Sequence, residues 1–237
     1  MLFSEFSQHA DELDAIKPTG HGNLENTTGS VWLKAIDQVT ETSNVLVPMQ
    51  TAGKKRPVFA LPGIGGSVLC LQPLSQALGS NQPFYGIQSV GFDGKTPPLE
   101  SVEKMAAVNL EAIKSIQKNG PYNILGYSYG GIIAFEMAKT LLEQNEKVSS
   151  IIFLDSLCPS LQVNDDVEQI MHLFNNFSQV TGIRIDIDAE TLKKTKGDDR
   201  IEYLYNLMKP FGFNMTKEQF ITLYSVSMTN ERSCRAY

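Results

Sequence analysis

Cysteine and histidine are scarce in this chain, and the shortage narrows the chemistry open to it. Its 237 residues include three cysteines, Cys70, Cys158 and Cys234, scattered and without a Cys-x-x-Cys pair. That spacing fits reduced structural thiols better than a disulfide framework or a zinc site, so no metal is expected. Long apolar runs are missing as well: nothing approaches the ~18 uninterrupted apolar residues of a membrane span. Met1-Leu2-Phe3-Ser4-Glu5-Phe6 lacks the basic start and apolar core of a secretory signal. The reading is a cytosolic protein without a membrane partner. There is no Lys/Arg-rich run and the formal net charge is −6, which argues against a nucleic-acid footprint.

What the chain does have is an ordinary apolar content, 42% against 19% charged residues, sufficient for one main domain with a sizeable core. Phe3, Phe6, Ala10, Leu13 and Ile16 recur at helical spacing before Pro18-Thr19-Gly20-His21-Gly22-Asn23 breaks the pattern. Residues 18–30 read as a linker, and 1–44 together as a linker or the end of an upstream domain. The compact domain, 45–237, begins at Val45-Leu46-Val47-Pro48-Met49-Gln50, followed by a strand at 57–61, a helix at 68–78 and a strand at 83–88. A helix follows in which Val102, Met105, Ala106, Leu110, Ile113 and Ile116 form one stripe. Asn119-Gly120-Pro121 stops it. Strands at 123–127 and 148–155 flank another apolar helix. Such alternation predicts an α/β fold: right-handed crossovers and a mostly parallel sheet with helices on both faces.

After Pro159 the pattern changes. Helical stretches at 167–177, 189–194, 199–208 and 216–228 follow one another with no convincing strand between them, as expected of a lid inserted over the sheet's active edge, about residues 160–228. Met171, Phe174, Phe177, Leu204, Leu207, Met208, Phe211 and Phe213 give it an apolar underside, either lining an acyl channel or packing on the sheet.

The motif with most chemical content is Gly126-Tyr127-Ser128-Tyr129-Gly130, at the junction of an apolar strand and an apolar helix. Gly-x-Ser-x-Gly in that setting is the nucleophile elbow: a tight turn lifts the serine above the sheet, and glycines remove the side chains that would collide beneath it. Charge growing on a substrate oxygen then meets the positive end of the helix. The backbone N–H of Tyr129 supplies one oxyanion donor. Ile64, in Pro62-Gly63-Ile64-Gly65-Gly66, is taken as the second; Gly65 is its rival, and a glycine turn that merely reverses the chain is the plain alternative. Asp155, at the end of the following strand, is the candidate acid, against an aspartate that only caps a turn.

A base is harder to find. His9 lies in the first segment and His21 in the linker, and after Asp155 the chain offers only His172, in the first lid helix with no core strand to return it to the sheet edge. Two readings follow. Either the last core strands and a histidine loop lie beyond Tyr237, or the chain is a noncatalytic relative that kept the elbow. The joint presence of Ser128, its glycines and Asp155 favours the first, under which the chain as it stands turns over at a near-zero rate.

Gln82-Pro83-Phe84-Tyr85-Gly86-Ile87-Gln88, Gly120-Pro121-Tyr122, the elbow with Gly131 and Ala134-Phe135-Glu136-Met137-Ala138, and the strand ending at Asp155 together resemble one family: the thioesterase domains that end polyketide and nonribosomal peptide synthetases. They are similar also to the animal fatty acid synthase thioesterase. The resemblance covers about residues 45–237 and implies an α/β-hydrolase fold, incomplete at its C-terminal end. It implies release of an acyl or peptidyl chain from the phosphopantetheine arm of a carrier domain, by hydrolysis or cyclisation. Ser128 would be the nucleophile, Asp155 the acid, and the Ile64 and Tyr129 amides the oxyanion hole, with no cofactor of its own. A discrete editing thioesterase, a general carboxylesterase and a noncatalytic carrier-binding relative remain as alternatives.

Overall fold

Val58–Leu61 (β2) is buried at every position, as a strand without polar alternation must be when both its faces are covered. A computed structural model describes residues 45–156, 165–211 and 215–237. Expectations placed on 1–44, on Cys158 and on Phe213 fall outside them. Within the described residues β2 sits at the centre of a five-stranded sheet of order β1-β3-β2-β4-β5. Its companions are β1 (Leu46–Gln50), β3 (Phe84–Ile87), β4 (Tyr122–Tyr127) and β5 (Val148–Leu154). β1 runs antiparallel to β3, and the other neighbours pair in parallel. This is a mostly parallel α/β sheet.

Alternation along β2 divides the interior in two. Phe59 and Leu61 join Ile87, Ile113, Ile124, Ile133 and Met137 on one face, while Val58 and Ala60 join Val68, Phe84 and Leu125 on the other. Successive side chains of a strand point to opposite faces, so one strand nucleates both cores. The first is closed by α2 (Val102–Ile116) and α3 (Gly130–Glu143). Ser101 caps α2 by accepting from the Lys104 amide at 3.2 Å, with Glu103 in the first turn and Lys114 in the last, charges that complement the helix dipole.

The helix expected over 68–78 is a 3-10 turn, Val68–Leu71, followed by α1, Gln72–Ala77. Pro73 explains the break: it lacks an amide hydrogen and fits only the first turn of a helix, so the α-helix restarts there.

Beyond β5 the described residues contain only helices: α4 (Asp166–Thr181), α5 (Ala189–Lys194), α6 (Gly197–Met208) and α7 (Lys217–Ala236). Asp165, Asp188 and Thr216 cap three of them through side-chain oxygens. Val167, Ile170, Phe174, Leu192, Leu204, Met208 and Phe220 form a separate apolar cluster, against which Met171, Phe177 and Leu207 pack. The expected underside is therefore a small core belonging to the lid itself, with Phe211 left exposed. Helical spacing specifies that a face is buried, not what buries it. The last helix also departs from expectation, continuing past 228 to Ala236. Its C-terminal part leaves the lid: Cys234 packs on the core between the sheet and α2/α3, and the Tyr237 hydroxyl donates to Glu136 at 2.7 Å.

Two separate cores should respond separately. Leu204→Ala, at a fully buried lid position, is expected to cost about 2–5 kcal/mol. Hydrogen exchange should rise through 166–208 while β4 stays protected. Equal loosening of β4 would show that lid and sheet unfold as one unit.

Candidate active site

β4 ends at Tyr127, and the chain turns sharply to start α3 at Gly130. Ser128 makes that turn with φ of 51°, a left-handed conformation that costs a non-glycine residue energy and persists only where its surroundings impose it. The glycines show what imposes it. A Cβ on Gly126 would lie 2.4 Å from the Gly130 oxygen, and one on Gly130 would lie 2.5 Å from the Pro62 oxygen. Gly131, which the motif does not specify, is also tightly enclosed, since a Cβ there would sit 2.1 Å from Ser156 Oγ. Ser156 in turn donates to the Gly126 carbonyl at 3.2 Å.

Asp155 leaves β5 as Ser128 leaves β4. Tyr127 is paired with Leu154, the Ser128 amide donates to the Leu154 carbonyl at 2.8 Å, and Asp155 has φ of 48°. Serine and aspartate thus depart adjacent parallel strands at the same edge, each in a left-handed turn. Ser128 is half-buried and Asp155 exposed. Burial raises the pKa of the Tyr127 phenol, with smaller contributions from Cys70 and the Asp155 carboxylate.

The loop after β2 lies against the serine: a Cβ on Gly63 would be 3.6 Å from Ser128 Cβ and 3.3 Å from the Tyr127 ring. The Gly66 amide closes it by donating to the Gly63 carbonyl at 2.9 Å, placing Ile64 and Gly65 at the tip of a tight turn. Tyr129 stands at the mouth of α3, where helix amides have no carbonyl partner within the helix. Its phenol is buried, donates to Met105 Sδ at 3.1 Å, and has its pKa driven well above the usual tyrosine range by burial, then by Cys234 and Glu231. That ring anchors the first turn of α3 and takes no part in proton exchange near neutrality.

His172 is engaged elsewhere. Its Nδ1 lies 3.5 Å from Glu231 Oε1 and 3.4 Å from Asn176 Nδ2: protonated, Nδ1 donates to the carboxylate and ties α4 to α7, and unprotonated it accepts from the amide within α4. Glu231 is also paired with Arg235. Burial, then the Glu231 carboxylate, pushes the Cys234 thiol up to about 11, keeping it a thiol rather than a nucleophilic thiolate. Among the described residues no group of three or more His, Cys, Asp or Glu could hold a metal ion, and no helix is long and apolar enough to cross a membrane.

A glycine-cradled serine after the fourth strand of a mostly parallel sheet, with an acid one strand over, defines an α/β-hydrolase fold. The chain belongs to the thioesterase domain family, whose model matches residues 56–192, more than half of it. It is 36% identical over 129 residues to an indigoidine synthase of Streptomyces lavendulae, a match covering 54% of this chain and 10% of that protein. It is 42% identical over 111 residues to the polyketide synthase PksR of Bacillus subtilis, covering 47% of this chain and 4% of that one. The chain matches only a small part of each of these relatives. A four-domain nonribosomal peptide synthetase superposes with a TM-score of 0.73 at 22% identity, over 82% of this chain and 15% of that one. The likeness to that structure concerns the fold.

Proposed function

We propose that Ser128 takes an acyl or peptidyl chain from the phosphopantetheine thioester of a carrier domain and passes it to water or to a nucleophile within the chain. The observation that carries this reading is that Ser128 and Asp155, each in a left-handed turn, directly follow the paired strand ends Tyr127 of β4 and Leu154 of β5, in a member of the thioesterase family. Similar chains are parts of peptide and polyketide synthases, which supports a carrier domain as partner. Residues 45–237 are read as the thioesterase domain and 1–44 as a linker or the end of an upstream domain.

In the first half-reaction Ser128 Oγ bonds to the thioester carbon while its proton passes to a base. The oxyanion is held by the Tyr129 and Ile64 amides, and the C–S bond breaks as the pantetheine sulfur takes up that proton. Deacylation repeats these steps with water or an internal hydroxyl or amine. Asp155 would hold the base in its tautomer. His172, whose Nδ1 lies beside Glu231 and Asn176, is not assigned that role, no base is placed among the described residues, and the chain alone should turn over at a near-zero rate. Removing the histidine of a serine hydrolase costs on the order of a millionfold in kcat, about 8 kcal/mol.

The test compares acyl-pantetheine thioesters with p-nitrophenyl esters of the same acyl group on the full-length gene product. A higher kcat/KM for the thioester is expected, and the reverse would move the assignment to a general carboxylesterase. Failure of a fluorophosphonate to label Ser128 in that protein would leave only a noncatalytic carrier-binding role. Ordinary turnover by residues 1–237 alone would show that the base lies within them.

A further inference from the structure

α7 does more than complete the lid. Leu223, Val226 and Asn230 fall at i, i+3 and i+7 on one face of this helix, and all three meet the loop after β2. A Cβ on Gly65 would lie 4.0 Å from Leu223 Cδ1, and one on Gly66 would lie 2.8 Å from Val226 Cγ1. Asn230, 1% exposed, donates from Nδ2 to the Ile64 carbonyl at 2.9 Å and reaches Ser89 Oγ at 3.5 Å. Other contacts fix the far side of the same loop: the Ser89 amide donates to the Gly66 carbonyl at 3.1 Å, and the Val68 amide donates to Gln88 Oε1 at 3.1 Å.

We propose that Asn230 is the positioning residue of the oxyanion loop, clamping the Ile64 carbonyl from α7 and so setting the direction of the amides at the loop's tip. The reasoning is geometric. A trans peptide unit is rigid, so holding the Ile64 oxygen turns the Gly65 amide to the opposite side and fixes the Ile64 Cα from which the preceding amide projects. Gly65 and Gly66 bring little steric restraint of their own, and a loop that must present donors before charge develops has to be held from outside. Asn230 does not itself contact substrate. The cavity it lines with Pro62, Gln88, Ser89, Asn109 and Tyr129 is about 20 Å³, room for about one water and not for an acyl group. The inference rests on the thioesterase reading for its consequence and on the observed contacts for its geometry.

The test uses Asn230→Ala, which removes the donor, and Asn230→Asp, which keeps the shape but turns an acceptor toward the Ile64 oxygen, both in the full-length protein. Each should slow fluorophosphonate labelling of Ser128 and lower kcat by about tenfold or more, with KM within about twofold of wild type. Hydrogen exchange should quicken at amides 63–66 and stay unchanged in β4. Labelling within about twofold of wild type in either variant would overturn the proposal. So would a rise in exchange spread evenly over the domain, which would make Asn230 an ordinary packing residue. Should the unsubstituted protein fail to label at all, the thioesterase reading falls instead. Exchange then decides alone: a rise confined to 63–66 keeps the clamp, and no rise removes it.

Discussion

Ser128→Ala in the full-length protein is expected to cut chain release by about 10⁵-fold or more while changing carrier affinity by no more than about twofold. The asymmetry follows from where the serine stands. On the proposed mechanism its hydroxyl bonds to the thioester carbon, so nothing downstream of acylation would proceed without it. The docking surface for a carrier need not include a half-buried residue beside the loop after β2. Single-turnover release from an acylated carrier measures the first quantity and calorimetry the second. Release within about tenfold of wild type would mean that water attacks the thioester directly, and the covalent mechanism would have to be given up.

The second large effect is on stability. Gly130→Ala is expected to cost about 3 kcal/mol or more, because the new methyl group has nowhere to go. It would lie 2.5 Å from the Pro62 oxygen and 2.6 Å from the Leu61 oxygen, and both are backbone atoms at the end of the central strand. No rotamer relieves such contacts; either β2 or the first turn of α3 must move. Gly65→Ala is the control, since its methyl meets nothing nearer than Leu223 Cδ1 at 4.0 Å, and a change below about 1 kcal/mol is expected. Urea unfolding of both variants checks the difference. Equal midpoints would mean that the elbow is slack and that the glycines are not sterically required.

Gly126 and Gly130 also show why the elbow could be read before any coordinates. Their requirement arises from atoms only a few residues away or on the adjoining strand, so a five-residue pattern records it. Asp155 was reachable by a similar argument: one crossover helix returns the chain to the same sheet edge, and β5 pairs with β4 from Tyr122 to Tyr127. Ser156 and Asn230 left no such trace. Each acts through its side chain on backbone belonging to another element, and Asn230 meets Ile64 across 166 positions of sequence. Only the fold makes them neighbours.

The lid was legible as helices and illegible as packing. The apolar stripes of α4 and α6 predict buried faces, yet the same stripes would suit a channel, the sheet or one another, and the third arrangement is present. The end of α7 was missed for a different reason. From Thr229 to Arg235 the sequence is largely polar and offers no stripe, but it contains neither glycine nor proline to stop a helix already under way.

That unbroken helix carries a mechanical consequence. Twenty residues of α7 make a rod of about 30 Å, with Phe220 and Met228 seated in the lid cluster and Asn230 gripping the turn that faces the nucleophile. A rod that meets the lid cluster and the loop over the same stretch carries tilt from one to the other. On the proposed mechanism, a tilt of α7 would pry at the turn from Gly63 to Gly66, so movement of the helical cover and the presentation of amides to the nucleophile would be coupled.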